Sequence, residues 1–211
     1  MRPARRLDGD GESRPYGAMS ETTIVLLAAG RSARMRGRDK LLEEIDGQPL
    51  VRRMAGRALK AGVPVRVVLG PDQAARRAAL SGLSVEIVEA EGTDGMAASI
   101  RAGVAGLAGP VLLALADMPA ITAQDFHLMV SLGAQAPQAI LQAATRDGRP
   151  GHPVLFPADC LPDLARLQGD LGAKSILTAA GARRHLLPLA DDRALIDLDT
   201  PEDWAKWRAG Q

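Results

Sequence analysis

The chain has 211 residues, 46% of them hydrophobic, a formal net charge of +1 and an aromatic share of only 2%. That size and balance suit one globular domain with a sizeable core and exclude a disordered or fibrous chain. Near-neutral charge and scarce aromatic platforms argue against nucleic acid as a partner, leaving a small phosphorylated ligand on a local basic loop as the natural anion.

The first twenty residues, MRPARRLDGDGESRPYGAMS, lack the apolar centre of a secretory signal, so a disordered tail over 1–20 and a single domain over 21–211 are expected. Met19 is an alternative start to Met1. Residues 23–29 form a continuous apolar run, the pattern of a strand covered on both faces in a parallel sheet. Gly30 ends the run, and Arg31, Ser32, Arg34, Arg36, Arg38 and Lys40 follow, so N–H groups, a hydroxyl and dense cations stand ready for an anion. Taken alone, such a stretch also reads as a solvated basic loop. Residues 47–61 place Leu50, Met54, Ala58 and Leu59 at helical spacing. A strand over 65–69, a short helix over 72–80, a strand over 85–88 and a helix over 95–107 follow. This last helix is entered through Gly95, where its free N–H groups could face a ligand. The second wholly apolar run, 110–116, stops at Asp117, Met118 and Pro119.

Thr122 is a candidate N-cap for a helix to Leu132, followed by a strand over 140–144, a turn over 146–150 and a short strand over 152–156. Helical segments are expected over 158–167, with Pro162 in its first part, and over 169–180. Leu-rich stretches 184–189 and 195–198 then lead to a last helix, with Thr200 as cap, Pro201 first and Glu202 and Asp203 in its first turn. The alternation predicts an α/β domain with a mainly parallel sheet and helices on both faces, whose ligand sits beyond the carboxyl ends of the strands. A cationic loop beside Asp117 is what a magnesium nucleotide requires. Cys160 is the only cysteine, which excludes an intrachain disulfide and makes a cytoplasmic location the default. No apolar run is long enough to span a membrane.

Five stretches in order, LLAAGRSARMRGRDKLL, GMAASIRAG, LLALADMP, GHPVLF and DLDTPEDW, resemble the MobA/MocA-like nucleotidyltransferases, and among them the cytidylyltransferases of the molybdenum cofactor. The resemblance covers nearly all of the chain after residue 20. It implies a three-layer Rossmann-like nucleotidyltransferase fold that moves a nucleoside monophosphate from a triphosphate to a phosphorylated acceptor, with Mg²⁺ and release of pyrophosphate. By the same resemblance Leu27, Ala28, Ala29, Gly30, Arg31 and Ser32 surround the nucleotide, and Gly95 and Ser99 lie by its ribose or base. Arg34 and Lys40 would neutralise the β- and γ-phosphates. Asp117 and Asp199 would hold Mg²⁺, with Asp197 competing for the second place. The stretch between Arg34 and Lys40 is one residue longer than the common family spacing, at Arg36 and Gly37. His152 in GHPVLF, and Asp170 and Lys174 in GDLGAK, are expected to meet the acceptor.

LAAG at 27–30 resembles the cytidylyl branch, where LAGG would mark the guanylyl one. The resemblance therefore implies CTP and the molybdenum cofactor as substrates, with a molybdenum hydroxylase as receiver of the product. Plain structural roles stand beside these: Asp117 as a turn former before Pro119, Asp199 as a cap of the last helix, Arg101 on a solvent face. Other functions stay open, namely GTP as donor, a sugar or polyol phosphate as acceptor, a non-catalytic cofactor chaperone and a nucleotide sensor.

Overall fold

The computed structural model describes residues 21–91, 95–170 and 172–210, so the expected tail over 1–20 lies outside the described residues. The first half runs β1 (Thr23–Leu27), β2 (Glu44–Ile45), β3 (Gln48–Pro49), α1 (Leu50–Leu59), β4 (Val65–Leu69), α2 (Ala74–Ala79), β5 (Glu86–Glu89), α3 (Gly95–Val104) and β6 (Val111–Leu115). The second runs α4 (Ala123–Gln135), β7 (Ile140–Ala144), β8 (Pro150–Phe156), α5 (Leu161–Leu164), α6 (Lys174–Ala179), β9 (Arg184–Pro188) and α7 (Pro201–Ala209). The main sheet has seven strands in the order β5-β4-β1-β6-β8-β7-β9. Only β8 runs against its neighbours, pairing antiparallel with both β6 and β7. The α/β, mainly parallel architecture therefore holds.

Strand residues alternate between two cores, one on each face of the sheet. Ile24, Leu26, Leu112 and Ala114 join Leu50, Met54, Phe126 and Trp204 from α1, α4 and α7. Val25, Val111, Leu113 and Phe156 join Ala97, Ile100 and Leu164 from α3 and α5. Both apolar runs of the sequence are thus covered on both faces, which is why polar alternation is missing from them.

Several expected boundaries move for local reasons. The helix expected over 47–61 begins at Leu50, because a hairpin of β2 and β3 takes the preceding residues and Pro49 has an extended ψ of 138°. The segment 158–167 divides into a single 3₁₀ turn and the short α5, with Pro162 confined to the first turn where its missing N–H costs nothing. The helix expected over 169–180 starts only at Lys174, since Gly169 and Gly172 both carry positive φ. Residue 171 of that segment lies outside the described residues. The Leu-rich stretch 184–189 contains the edge strand β9, while 195–198 forms no strand. Both reciprocal caps are present: Thr122 with Asp125 at the start of α4, and Thr200 with Asp203 at the start of α7.

Candidate active site

Chain connections run to opposite sides of β1 and β6: β1 leads through α1 to β4 on one flank, whereas β6 leads through α4 to β7 on the other, with β8 returning to fill the place between β6 and β7. Such a reversal leaves a crevice beyond the carboxyl ends of two neighbouring parallel strands. Leu27 lies opposite Leu115 in the ladder, so the loop after β1 and the Asp117 turn after β6 emerge side by side. The β1 loop passes Ser32 and Arg36, both with positive φ, on either side of a 3₁₀ turn over Ala33–Met35. Met35 is fully buried and anchors the turn, while Arg34 points outward with 70% of its side chain exposed.

Lys40, only 9% exposed, reaches into the crevice and joins the carboxylates of Asp117 and Asp199, with 2.6 Å between its Nζ and Asp199 Oδ1. Arg34 pairs with the other oxygen of Asp199. Burial alone would lower the Lys40 amine, but the Asp117 and Asp199 charges outweigh it and hold the amine above its usual range. Burial likewise raises the Asp199 carboxyl, and Lys40 and Arg34 more than offset that, leaving it below the ordinary carboxylate range. Asp197 moves the other way, pushed up by desolvation and by the Asp199 and Asp117 charges. Three carboxylates thus face two cations, and Asp117 Oδ1 is buried with no hydrogen-bond partner. An unsatisfied carboxylate oxygen in an acidic cleft, beside a second carboxylate bridged to it by an ammonium, fits a hard divalent cation. Among the described residues, no three or more His, Cys, Asp or Glu side chains are grouped to hold a metal, so such an ion would rest on few protein ligands and keep much of its water.

The antiparallel turn of β8 brings His152 alongside this cluster. Val154 pairs with Leu113, so the chain two residues earlier lies toward the Asp117 end of β6. Gly151 is needed here, because a Cβ would stand 1.9 Å from the carbonyl oxygen of Ala194. His152 N–H donates to that same carbonyl at 2.9 Å. Its ring is held by the Leu113 carbonyl, burial pushes its pKa down against the pull of Asp117, and Nδ1 is left buried without a partner. The ring is neutral, and its free nitrogen is an acceptor.

The remaining candidates divide. Leu27 and Ala29 are partly buried, Ala28 is buried, and Gly30 and Arg31 are exposed where the β1 loop opens. A Cβ at Gly30 would meet nothing within 4 Å, so no protein atom explains a glycine there. Ser32 Oγ accepts from the Lys40 N–H at 3.2 Å and donates to Asp39 at 3.3 Å. Ser99 is buried in α3 and its hydroxyl turns back to the Gly95 carbonyl at 3.5 Å. Asp170 packs onto Gly95 so closely that a Cβ would fall 1.4 Å from Oδ1, which joins an expected acceptor residue to an expected nucleotide residue. Lys174 is exposed at the start of α6 and is not brought to the Lys40 cluster by any described contact. Arg101, expected on a solvent face, donates to the Leu167 carbonyl at 2.5 Å.

Sequence reasoning missed Gln73, Arg76 and Asp39. Arg76 is 2% exposed and makes paired 2.7 Å contacts with Asp39, whose carboxyl burial would raise but Arg76 and the Leu41 N–H hold below the usual range. One signal was available: Gln73, Arg76 and the buried Leu80 recur at i, i+3 and i+7, placing both polar residues on the inward face of α2.

The family model for the MobA-like NTP transferase domain matches residues 24–186 of the chain. A molybdenum cofactor guanylyltransferase of Pseudomonas paraeruginosa is 32% identical over 199 residues, covering 91% of this chain and 97% of that protein. The bifunctional protein GlmU of Anaeromyxobacter dehalogenans is 34% identical over 125 residues, covering 55% of this chain, which spans only 26% of that relative. Among solved structures, Rv0371c of Mycobacterium tuberculosis H37Rv superposes with a TM-score of 0.78 at 27% identity, covering 89% of this chain and 98% of that one. A second structure of Rv0371c, in complex with manganese, gives 0.74 at 26% identity, covering 90% and 98%.

Proposed function

Because this chain belongs to the MobA-like NTP transferase domain family and is a nucleotidyltransferase, we propose that it transfers CMP from CTP to the terminal phosphate of the molybdenum cofactor. The Lys40 bridge between Asp117 and Asp199 carries this reading, because it sets a displaceable cation between two carboxylates at the mouth of the β1 loop. In the reaction an acceptor phosphate oxygen forms a bond to the α-phosphorus of CTP, the bond from that phosphorus to the β-phosphate oxygen breaks, and pyrophosphate leaves with the electron pair. The acceptor phosphate is ionised at neutral pH, so no protein nucleophile or general base is called for. A divalent cation on Asp117 and Asp199, Mg²⁺ in this reading, would supply positive charge to the oxygens of the reacting phosphate.

Lys40 and Arg34, both held on Asp199 in the free protein, turn to the β- and γ-phosphates and offset the charge that builds on the leaving group. The backbone from Leu27 to Ser32 takes the nucleotide, with open space beyond Gly30 and Arg31 on its rim. Gly95 and Ser99, on α3, serve the ribose or base in this reading. In this reading His152 Nδ1 accepts a hydrogen bond from the acceptor, and Asp170 and Lys174 serve the acceptor side. A molybdenum hydroxylase is the natural receiver of the product.

CTP is preferred because LAAG at 27–30, with Ala29 where LAGG would carry a glycine, resembles the cytidylyl branch. GTP is the second reading, favoured by the guanylyltransferase names of relatives that match nearly end to end. Incubating the protein with Mg²⁺ or Mn²⁺, the molybdenum cofactor and each labelled triphosphate, and measuring pyrophosphate release, tests both. Faster release with CTP than with GTP is expected. Equal or faster turnover of GTP sinks the CTP assignment, and stimulation only by a sugar or polyol phosphate sinks the acceptor assignment.

A further inference from the structure

The α2 helix reaches under the β1 loop from the next βα unit, and its two inward polar side chains grip the loop at separate points. Arg76 Nη1 donates to the carbonyl of Ala28, and Nη2 donates to Ser32 Oγ at 3.1 Å. The same guanidinium takes both carboxylate oxygens of Asp39, each at 2.7 Å. One turn earlier on the helix face, Gln73 Nε2 donates to the carbonyl of Ala29 at 2.9 Å, and its Oε1 accepts from the Gly70 N–H at 2.9 Å. A planar trans peptide sets each carbonyl antiparallel to the N–H of the following residue. Drawing the Ala28 and Ala29 carbonyls toward α2 therefore turns the N–H groups of Ala29 and Gly30 the opposite way, out of the loop. A pair of consecutive amides so aimed is an anion-receiving arrangement.

The grip on Asp39 governs the other end of the loop. Asp39 also accepts from the Leu41 N–H at 2.9 Å, and Ser32 Oγ accepts from the Lys40 N–H at 3.2 Å. The backbone on both sides of the Lys40 side chain is thus tied, through Asp39 and Ser32, to one guanidinium. A bidentate arginine fixes both distance and plane, which a lysine in its place would not.

We propose that Arg76, assisted by Gln73, is a positioning residue of the transfer reaction: it holds the two ends of the β1 loop in one geometry, aiming the Ala29 and Gly30 amides and Lys40 at the triphosphate. Arg76 touches no substrate and acts through Ser32, Asp39 and the loop backbone. The inference rests on the reading that the triphosphate occupies this loop.

Equilibrium binding of CTP and of GTP with Mn²⁺, without acceptor, is measured on the full chain for wild type, R76K, R76M, R76M/D39N, Q73M and R77M, with melting temperature recorded for each. Arg77 pairs with Glu89 on the exposed side of the same helix, so R77M is the control. The expected result is a loss of triphosphate affinity of about tenfold or more in R76K and R76M. A smaller loss is expected in Q73M and none in R77M. R76M/D39N no longer holds a half-buried carboxylate that has lost its counter-charge, so it recovers melting temperature while affinity stays low. If the double variant regains wild-type affinity, or R76K binds like wild type, Arg76 is a structural counter-charge and the inference fails. A wild-type protein that binds neither triphosphate removes the parent reading, and the positioning role falls with it.

Discussion

Replacing Lys40 by methionine keeps most of the side-chain volume and removes the one ammonium shared by Asp117 and Asp199. Unit charges about 3 Å apart attract by about 5 kcal/mol at an effective dielectric constant of about 20. Desolvation of the three groups, several kcal/mol per buried ion, takes back much of this. What the variant feels is the penalty of carboxylates left without their partner, about 3–5 kcal/mol for a fully buried pair. The Lys40, Asp117 and Asp199 side chains here are 11%, 16% and 17% exposed, and Arg34 stays on Asp199. A net loss of about 2–3 kcal/mol follows, which for a domain of this size lowers the melting temperature by roughly 4–10 °C. The same vacancy of charge favours a divalent cation. Mn²⁺ or Mg²⁺ should therefore raise the melting temperature of K40M more than that of the wild type, where the cation must first displace the ammonium; a cation at a hundred times its Kd adds about 2.7 kcal/mol. Thermal unfolding with and without the cation, alongside pyrophosphate release, which should fall by about a hundredfold or more, makes the assay. A K40M protein as stable as wild type, with the same response to cation, would refute the reasoning.

Two further perturbations probe the surroundings of the cluster. Gly95→Ala adds a methyl at φ +53°, at a point 1.4 Å from Asp170 Oδ1, so it should push the 169–170 segment off α3, lower the melting temperature and raise the KM for acceptor; unchanged values for both would mean the close approach is not needed. Asp39 has a folded-state pKa below its unfolded one despite burial, because Arg76 and the Leu41 N–H favour the carboxylate. Its contribution is therefore complete above the unfolded pKa of about 4 and is lost as pH falls through the lower folded value. Urea unfolding between about pH 5 and pH 3 should show a shallower decline of stability in D39N than in wild type, and identical slopes would remove Asp39 from that account.

The parts legible in the sequence were those whose causes are local. The runs at 23–29 and 110–116 read as covered strands because burial on both faces removes polar alternation from the chain itself. Thr122 with Asp125 and Thr200 with Asp203 form their caps within four residues, so cap and helix could be read together. The reversed β8 and the edge strand β9 were less legible, since neighbour and direction depend on residues far along the chain. Gly151 illustrates this: the reason for a glycine beside His152 is the carbonyl of Ala194, which no nearby pattern announces.

The basic loop after β1 shows the same division. Its composition marked it as a candidate anion loop, because an apolar strand empties there into glycine, serine and four alternate cations, although the same letters also read as a solvated basic loop. Which cation serves which partner was decided only by the fold. Lys40 meets Asp117 and Asp199 across 77 and 159 residues of chain, and Arg76, one of two adjacent arginines, is buried while Arg77 is not. Charge is a property of a residue and can be read one letter at a time. Desolvation and pairing are properties of a place, and the sheet creates that place by bringing the ends of β1 and β6 together.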